Sequence, residues 1–76
     1  MNRIELIRRA AHCFRTDEKT IEKFIHNFFS AKDLDDAMRV MDKFLDAHSN
    51  STTPEELDDF CSYLELHKKD LEKGDQ

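Results

Sequence analysis

Apolar residues recur at intervals of three and four in four stretches of this chain, and that spacing is typical of amphipathic helices. The first two stretches predict one helix from about Arg3 to Phe14, capped by Asn2, and a second helix that begins after Thr16 as its N-cap. Their apolar faces consist of Ile4, Ile7, Ala11 and Phe14, widened by Leu6 and Ala10, and of Ile21, Phe24, Ile25 and Phe28.

The third stretch is out of phase with the second. A straight continuation of the second helix would place Lys32, Asp35 and Asp36 on its apolar face. We therefore expect the chain to break near Ser30, where Ser30 and Asp33 resemble a capping box with Asp in place of Glu. The third helix is expected to end near His48. Its apolar face consists of Leu34, Ala37, Met38, Met41, Phe44 and Leu45.

The fourth stretch has the strongest start signal in the sequence. Thr53 as N-cap, Pro54 at the first helical position and Glu56 at the third form a capping box with proline. This helix is expected to continue to Gly74, the only glycine of the chain. Its apolar face consists of Leu57, Phe60, Cys61, Leu64 and Leu71. The four patterns together predict an all-α fold, a compact bundle of three to four short amphipathic helices that forms a single domain over residues 1–76.

The net charge of −5 argues against general binding of nucleic acid, which needs a basic surface. The charge is unevenly distributed, because residues 1–15 carry four arginines against Glu5 alone. Arg8, His12 and Arg15 are spaced to form a basic stripe on the first helix. We expect this stripe to pair with the acidic helices or with a partner protein. The alternative is contact with the phosphates of a nucleic acid.

Carboxylates line one edge of each of the last two helices. They are Asp35, Asp42 and Asp46 on the third helix, and Asp58 and Glu65 on the fourth. Such edges either keep a small bundle soluble or dock onto the basic surface of a protein partner. Two apolar residues, Val40 and Leu66, lie outside the main faces. Tyr63 lies between Leu66 and the apolar face of the fourth helix, and together Tyr63 and Leu66 widen that face enough to predict a second contact surface.

No catalytic or metal-binding signature is present in the sequence. The histidines and cysteines form no CxxC, HxxxH or HExxH pattern, so we expect no metal, no cofactor and no enzymatic activity. His48 and His67 are expected at the edges of the core, Cys61 within it as an inert thiol, and Cys13 as the more reactive one. The sequence shows no export signal and no apolar run of about 20 residues, which predicts a cytoplasmic protein with reduced thiols.

These features favour a small acidic regulator of the inhibitor, anti-repressor, immunity or adaptor type, which occludes or bridges a larger protein partner. Accessory proteins of phages and mobile elements often have this size and acidity, which is an analogy at the level of class. Two alternatives stay open. One is a transcriptional regulator that binds nucleic acid as a dimer through the basic first helix, and the other is a structural oligomerisation module that forms a homodimer.

Overall fold

Helices make up all the regular secondary structure in the computed structural model, which describes the backbone of residues 2–73 and the side chains of residues 2–71. They are α1 (Arg3–Cys13), α2 (Glu18–Phe29), α3 (Leu34–Ala47), α4 (Pro54–Leu66) and α5 (Lys68–Lys73). The radius of gyration is 11.5 Å, against about 11.4 Å expected for a compact chain of this length. The prediction of a compact all-α fold is therefore confirmed. No helix within residues 2–73 is both long and apolar enough to cross a membrane.

Side chains cap four of the helix starts, and two of these caps are the predicted ones. Asn2 accepts a hydrogen bond from the Glu5 backbone N–H at 2.8 Å. Thr53 and Glu56 form the predicted reciprocal capping box, with bonds of 3.0 and 3.2 Å, and Pro54 occupies the first turn of α4. These bonds satisfy backbone N–H groups that have no partner within the helix.

The other two predicted caps are wrong by one and three residues. Asp17, rather than Thr16, caps α2 by accepting a hydrogen bond from the Thr20 N–H at 2.7 Å. The predicted break between α2 and α3 is confirmed, but Ser30 is the C-cap of α2 and Asp33 is the N-cap of α3. In both cases an aspartate one or three residues further along the chain takes the capping position, where its negative charge also interacts favourably with the helix dipole.

The fourth predicted helix is divided at His67. Its backbone N–H still donates to the Tyr63 carbonyl, but the helix ends there and α5 follows. No glycine or proline marks this break. After it, Leu71 is buried at 3% exposure and its carbonyl accepts a hydrogen bond from the Arg3 guanidinium at 2.9 Å. The predicted helix end at Gly74 lies outside the described residues.

Phenylalanine rings fill the centre of the core. Phe14 packs edge-on against Phe44 and Phe60, with ring centroids 5.7 and 5.5 Å apart, and Phe24 lies 5.0 Å from Phe44. Aliphatic side chains complete the core around these rings, and four of them are fully buried: Ile21, Ile25, Leu57 and Leu64. Ile4 was predicted to lie in this core, but it is 63% exposed because α1 turns Leu6 and Ala10 inward instead.

Helix α3 is rotated relative to the orientation that its apolar pattern predicts. Phe44 is its one buried residue, whereas Leu34 and Met38 are 72% and 51% exposed. Val40, predicted to lie outside the apolar face, packs against the core. Ala37, Met41 and Leu45 of the predicted face also pack against the core, so at about 100° per residue the shift of the core-facing side is roughly 40°. The apolar face of α3 is wider than the surface that the rest of the fold offers it, so part of that face remains exposed.

Two polar bonds join the turn after α1 to the turn after α3. His48 is the C-cap of α3 and is half-buried at the core edge, as predicted. Its Nε2 is hydrogen-bonded to the Thr16 hydroxyl at 3.2 Å. The Ser51 hydroxyl donates to the Phe14 carbonyl at 2.8 Å. Next to it, Thr52 is 5% exposed, and its hydroxyl has no hydrogen-bond partner among the residues described.

Candidate functional site

The exposed part of α3 forms one wall of a groove whose other wall is the first turn of α4. The groove has a volume of about 370 Å³. It is lined by the apolar side chains of Met38, Met41, Leu45 and Pro54 and by the carboxylates of Asp42, Glu55 and Asp58. It is called the acidic groove below. An apolar floor with carboxylates beside it is a surface that attracts cations while also contributing apolar contact area.

The structure brings together only part of the predicted acidic set. Asp42 and Asp58 come from different helices and line the same acidic groove. Asp35 and Asp46 are exposed on α3 but do not line it. Glu65 lies further along α4, beside Leu34, in a separate crevice between α3, α4 and the end of α2. Two of the five predicted carboxylates therefore share one site, and the remaining three contribute to the negative field around it.

Tyr63 and Leu66 do not form the single contact surface that the sequence predicts. Tyr63 is half-buried, packs against the core and lines an apolar crevice between α1 and α4. Its ring also contacts the ring of His67, with centroids 4.3 Å apart, which places His67 at the core edge as predicted. Leu66 is 79% exposed. One of these two residues is therefore structural, and only Leu66 is available to a partner over most of its side chain.

The predicted basic stripe is wrong at its last member. Helix α1 ends at Cys13, and Arg15 lies in the following turn with a left-handed φ of 55°. Arg8 forms an ion pair with Glu18 at 3.8 Å, in which both side chains are largely exposed. His12 remains exposed on α1. Arg8 thus complements α2 within the molecule, and the three groups do not form a continuous helical surface for phosphates.

The two cysteines occupy the environments that the sequence predicts. Cys13 is exposed and Cys61 is buried, and both are free thiols. Burial raises the pKa of the Cys61 thiol to about 12, and the charges of Asp58 and Glu65 act in the same direction. Cys61 is therefore protonated and unreactive at neutral pH. Among the side chains that the structure describes, no group of three or more His, Cys, Asp or Glu residues is placed to hold a metal ion.

The residues that sequence reasoning missed are the apolar ones of the groove. Met38, Met41 and Leu45 were assigned to the core-facing side of the third helix, where Met41 and Leu45 do pack partly against the core, and Pro54 was considered only as a helix start. A signal for them existed, because the six residues of the apolar face predicted for α3 form a wider face than a single packing contact requires. The side of that face left outside the core could not be identified from the spacing alone.

No protein-family model matches this chain, and no curated protein and no solved structure is significantly similar to it.

Proposed function

We propose that this chain is a protein-binding regulator and that the acidic groove holds a basic amphipathic helix of its partner. The observation that carries the proposal is the combination of an apolar floor, in which Met38 is exposed and Met41 and Leu45 are half-buried, with Asp42 and Asp58 from two helices. In this mode of recognition, an apolar helix face enters the groove while basic residues beside that face meet the carboxylates. By binding such a helix, the chain would cover part of the partner's surface and so occlude the partner or bridge it to another protein.

The side chains of the groove suit a peptide ligand. Met38 is 51% exposed, although methionine is normally among the residues that a small protein buries. Methionine side chains are flexible and polarisable, so they adapt to the irregular surface of a partner helix. The electrostatic field has the matching sign, since residues 34–66 carry nine carboxylates and two basic side chains. A basic partner would be attracted over a Debye length of about 8 Å at physiological ionic strength.

The same field disfavours a homodimer that pairs through the acidic groove. If two copies paired through their acidic grooves, Asp42, Glu55 and Asp58 of one copy would face the same carboxylates of the other. Like charges brought together across an interface oppose association. The exposed apolar floor therefore fits a basic partner better than it fits a second copy of itself.

The test compares two variants that carry the same change in charge. The partner is first captured from the native host by the tagged wild-type protein and identified by mass spectrometry. Its affinity is then measured for Asp42→Lys/Asp58→Lys, which alters the groove, and for Asp35→Lys/Asp46→Lys, which alters exposed sites outside it. Circular dichroism establishes that both variants are folded.

We expect the groove variant to lose at least about tenfold in affinity at physiological salt, a free-energy change of roughly 1.4 kcal/mol. The control variant should lose markedly less, and the difference should shrink at high salt because exposed charges are screened. Substituting Met38→Asp should also weaken binding, and salt should not restore it. Equal losses for the two charge variants would reduce the effect to net charge, and unchanged binding in the groove variant would exclude the groove as the site.

A further inference from the structure

A second cleft lies between α2 and α3, on the opposite side of α3 from the acidic groove, and its charged side chains are mainly basic. It has a volume of about 650 Å³. Lys23 on α2 and Arg39 and Lys43 on α3 line it, above a floor that includes Val40. Phe24 and Phe44 also line it. We call it the basic cleft. In a chain of net charge −5, a cleft lined by three cations and one carboxylate is a local reversal of sign.

The one carboxylate in the basic cleft is already engaged. Asp36 forms an ion pair with Arg39 at 3.2 Å and accepts a hydrogen bond from the Lys32 backbone N–H. Neither Lys23 nor Lys43 forms an ion pair in the part of the chain that the structure describes. Between α1 and α2, by contrast, an arginine faces a glutamate. Both walls of the basic cleft therefore carry positive charge, and an anion bound between them would neutralise that charge.

We propose that the basic cleft binds a small organic phosphate, with its phosphate group between Lys23 and Lys43 and its apolar body on the floor. The volume lies within the range of about 300–1,000 Å³ that small-molecule sites occupy. The polar side chains of Thr20, Asn27 and Ser30 line the same cleft and supply hydrogen-bond donors for phosphate or sugar oxygens. This site is separate from the acidic groove and does not rest on the function proposed for it.

The surroundings of the basic cleft favour a compact anion over a polyanion. Asp46 is exposed on the same helix as Arg39 and Lys43, and carboxylates outnumber lysines and arginines by 17 to 12 in the chain as a whole. A nucleic acid or an acidic helix extends beyond the three cations and enters the field of these carboxylates, which repel it. A ligand that ends within the cleft meets the cations and avoids most of that repulsion. The class of ligand is therefore a phosphate monoester of roughly mononucleotide size.

The experiment titrates four probes into isotopically labelled protein and follows backbone amide shifts by NMR. The probes are 2-naphthyl phosphate, adenosine 5′-monophosphate, 2-naphthol and inorganic phosphate. We expect at least one of the two phosphate esters to give saturable shifts concentrated in residues 20–30 and 36–48. Naphthol, which lacks the anion, and inorganic phosphate, which lacks the apolar body, should each bind about tenfold or more weakly.

Three variants that each remove one positive charge test whether the basic cleft is the binding site. Lys23→Gln and Lys43→Gln should each weaken binding of the ester about tenfold, the effect of removing a hydrogen bond to a charged group. Lys69→Gln, at an exposed position of α5, should leave the affinity unchanged. Absence of localised shifts with both esters would overturn the proposal. Equal losses of affinity in all three variants would also overturn it. So would an oligothymidylate of twelve nucleotides that binds the same residues more tightly than either ester.

Discussion

Phe44 is the residue on which the position of α3 depends, and Phe44→Ala tests that dependence. It is the one buried residue of α3, at 6% exposure, and its ring contacts those of Phe14, Phe24 and His48. Replacing a buried phenylalanine with alanine costs about 3–5 kcal/mol, because the transfer free energy is lost and a cavity remains. A chain of this length has a total stability of roughly 4–11 kcal/mol. The substitution therefore removes a large share of the total.

The assay is chemical denaturation followed by circular dichroism at the helical minimum, for wild type, Phe44→Ala and Leu34→Ala. Leu34 lies on the same helix but is 72% exposed, so its truncation should change the free energy of unfolding by no more than about 0.5 kcal/mol. Hydrogen exchange in Phe44→Ala should show that the amides of α3 lose protection first, because Phe44 is the one buried residue of this helix.

The reasoning fails if the two variants are destabilised equally, or if Phe44→Ala costs less than about 1.5 kcal/mol. Equal losses would mean that Leu34 is buried in solution and that α3 packs in the orientation its apolar pattern predicts. In that case the exposed floor of the acidic groove would not exist, and the function proposed for it would lose its main observation.

Five further outcomes can be checked, four of them with single substitutions and one by thiol labelling. Thr53→Ala should lower the free energy of unfolding by about 1 kcal/mol in denaturation experiments, because it removes the N-cap hydrogen bond of α4. Thr52→Val should raise it by up to about 1 kcal/mol, because the buried hydroxyl that it replaces makes no hydrogen bond within the described chain. Iodoacetamide should modify Cys13 in the native protein and Cys61 only on unfolding. Burial raises the pKa of Cys61 from 9.0 to about 12, so between these pH values the thiol ionises only when the protein unfolds. The free energy of unfolding should therefore fall as the pH rises through this interval, and this part of the pH dependence should be absent in Cys61→Ala. Hydrogen bonds from Thr20 lower the pKa of Asp17 below its usual 3.8, so the ionised side chain stabilises the folded protein. That stabilisation is lost as the pH falls through and below 3.8, and Asp17→Asn should therefore lose less stability in acid than the wild type.

The sequence predicts the helices well because its local signals are strong. The phase reversal between Phe28 and Leu34 locates the break between α2 and α3, and the capping box at Thr53 locates the start of α4. Errors arose where two adjacent polar residues compete for one cap, as Thr16 and Asp17 do. They also arose at His67, where the helix ends without glycine or proline.

The acidic groove was less predictable, because it depends on how α3 is rotated against the rest of the fold. The spacing of apolar residues gives the width of a face, but tertiary packing decides which edge of that face is covered. The pairing of Asp42 with Asp58 across two helices likewise depends on the position of α4 beside α3. The basic cleft is a further case, since Lys23 and Lys43 are twenty residues apart and only the packing of α2 against α3 places them in one cleft.

The hydrogen bond from Arg3 to the Leu71 carbonyl has a topological consequence. It joins the first turn of α1 to α5, so the path of the chain from residue 3 to residue 71 is nearly a closed ring. A ring can be opened elsewhere, and exposed polar connections are where new chain ends are tolerated best. A circular permutant that joins residue 73 to residue 2 through a short Gly/Ser segment and begins at Lys32, between α2 and α3, should keep the helical content of the parent protein when measured by circular dichroism.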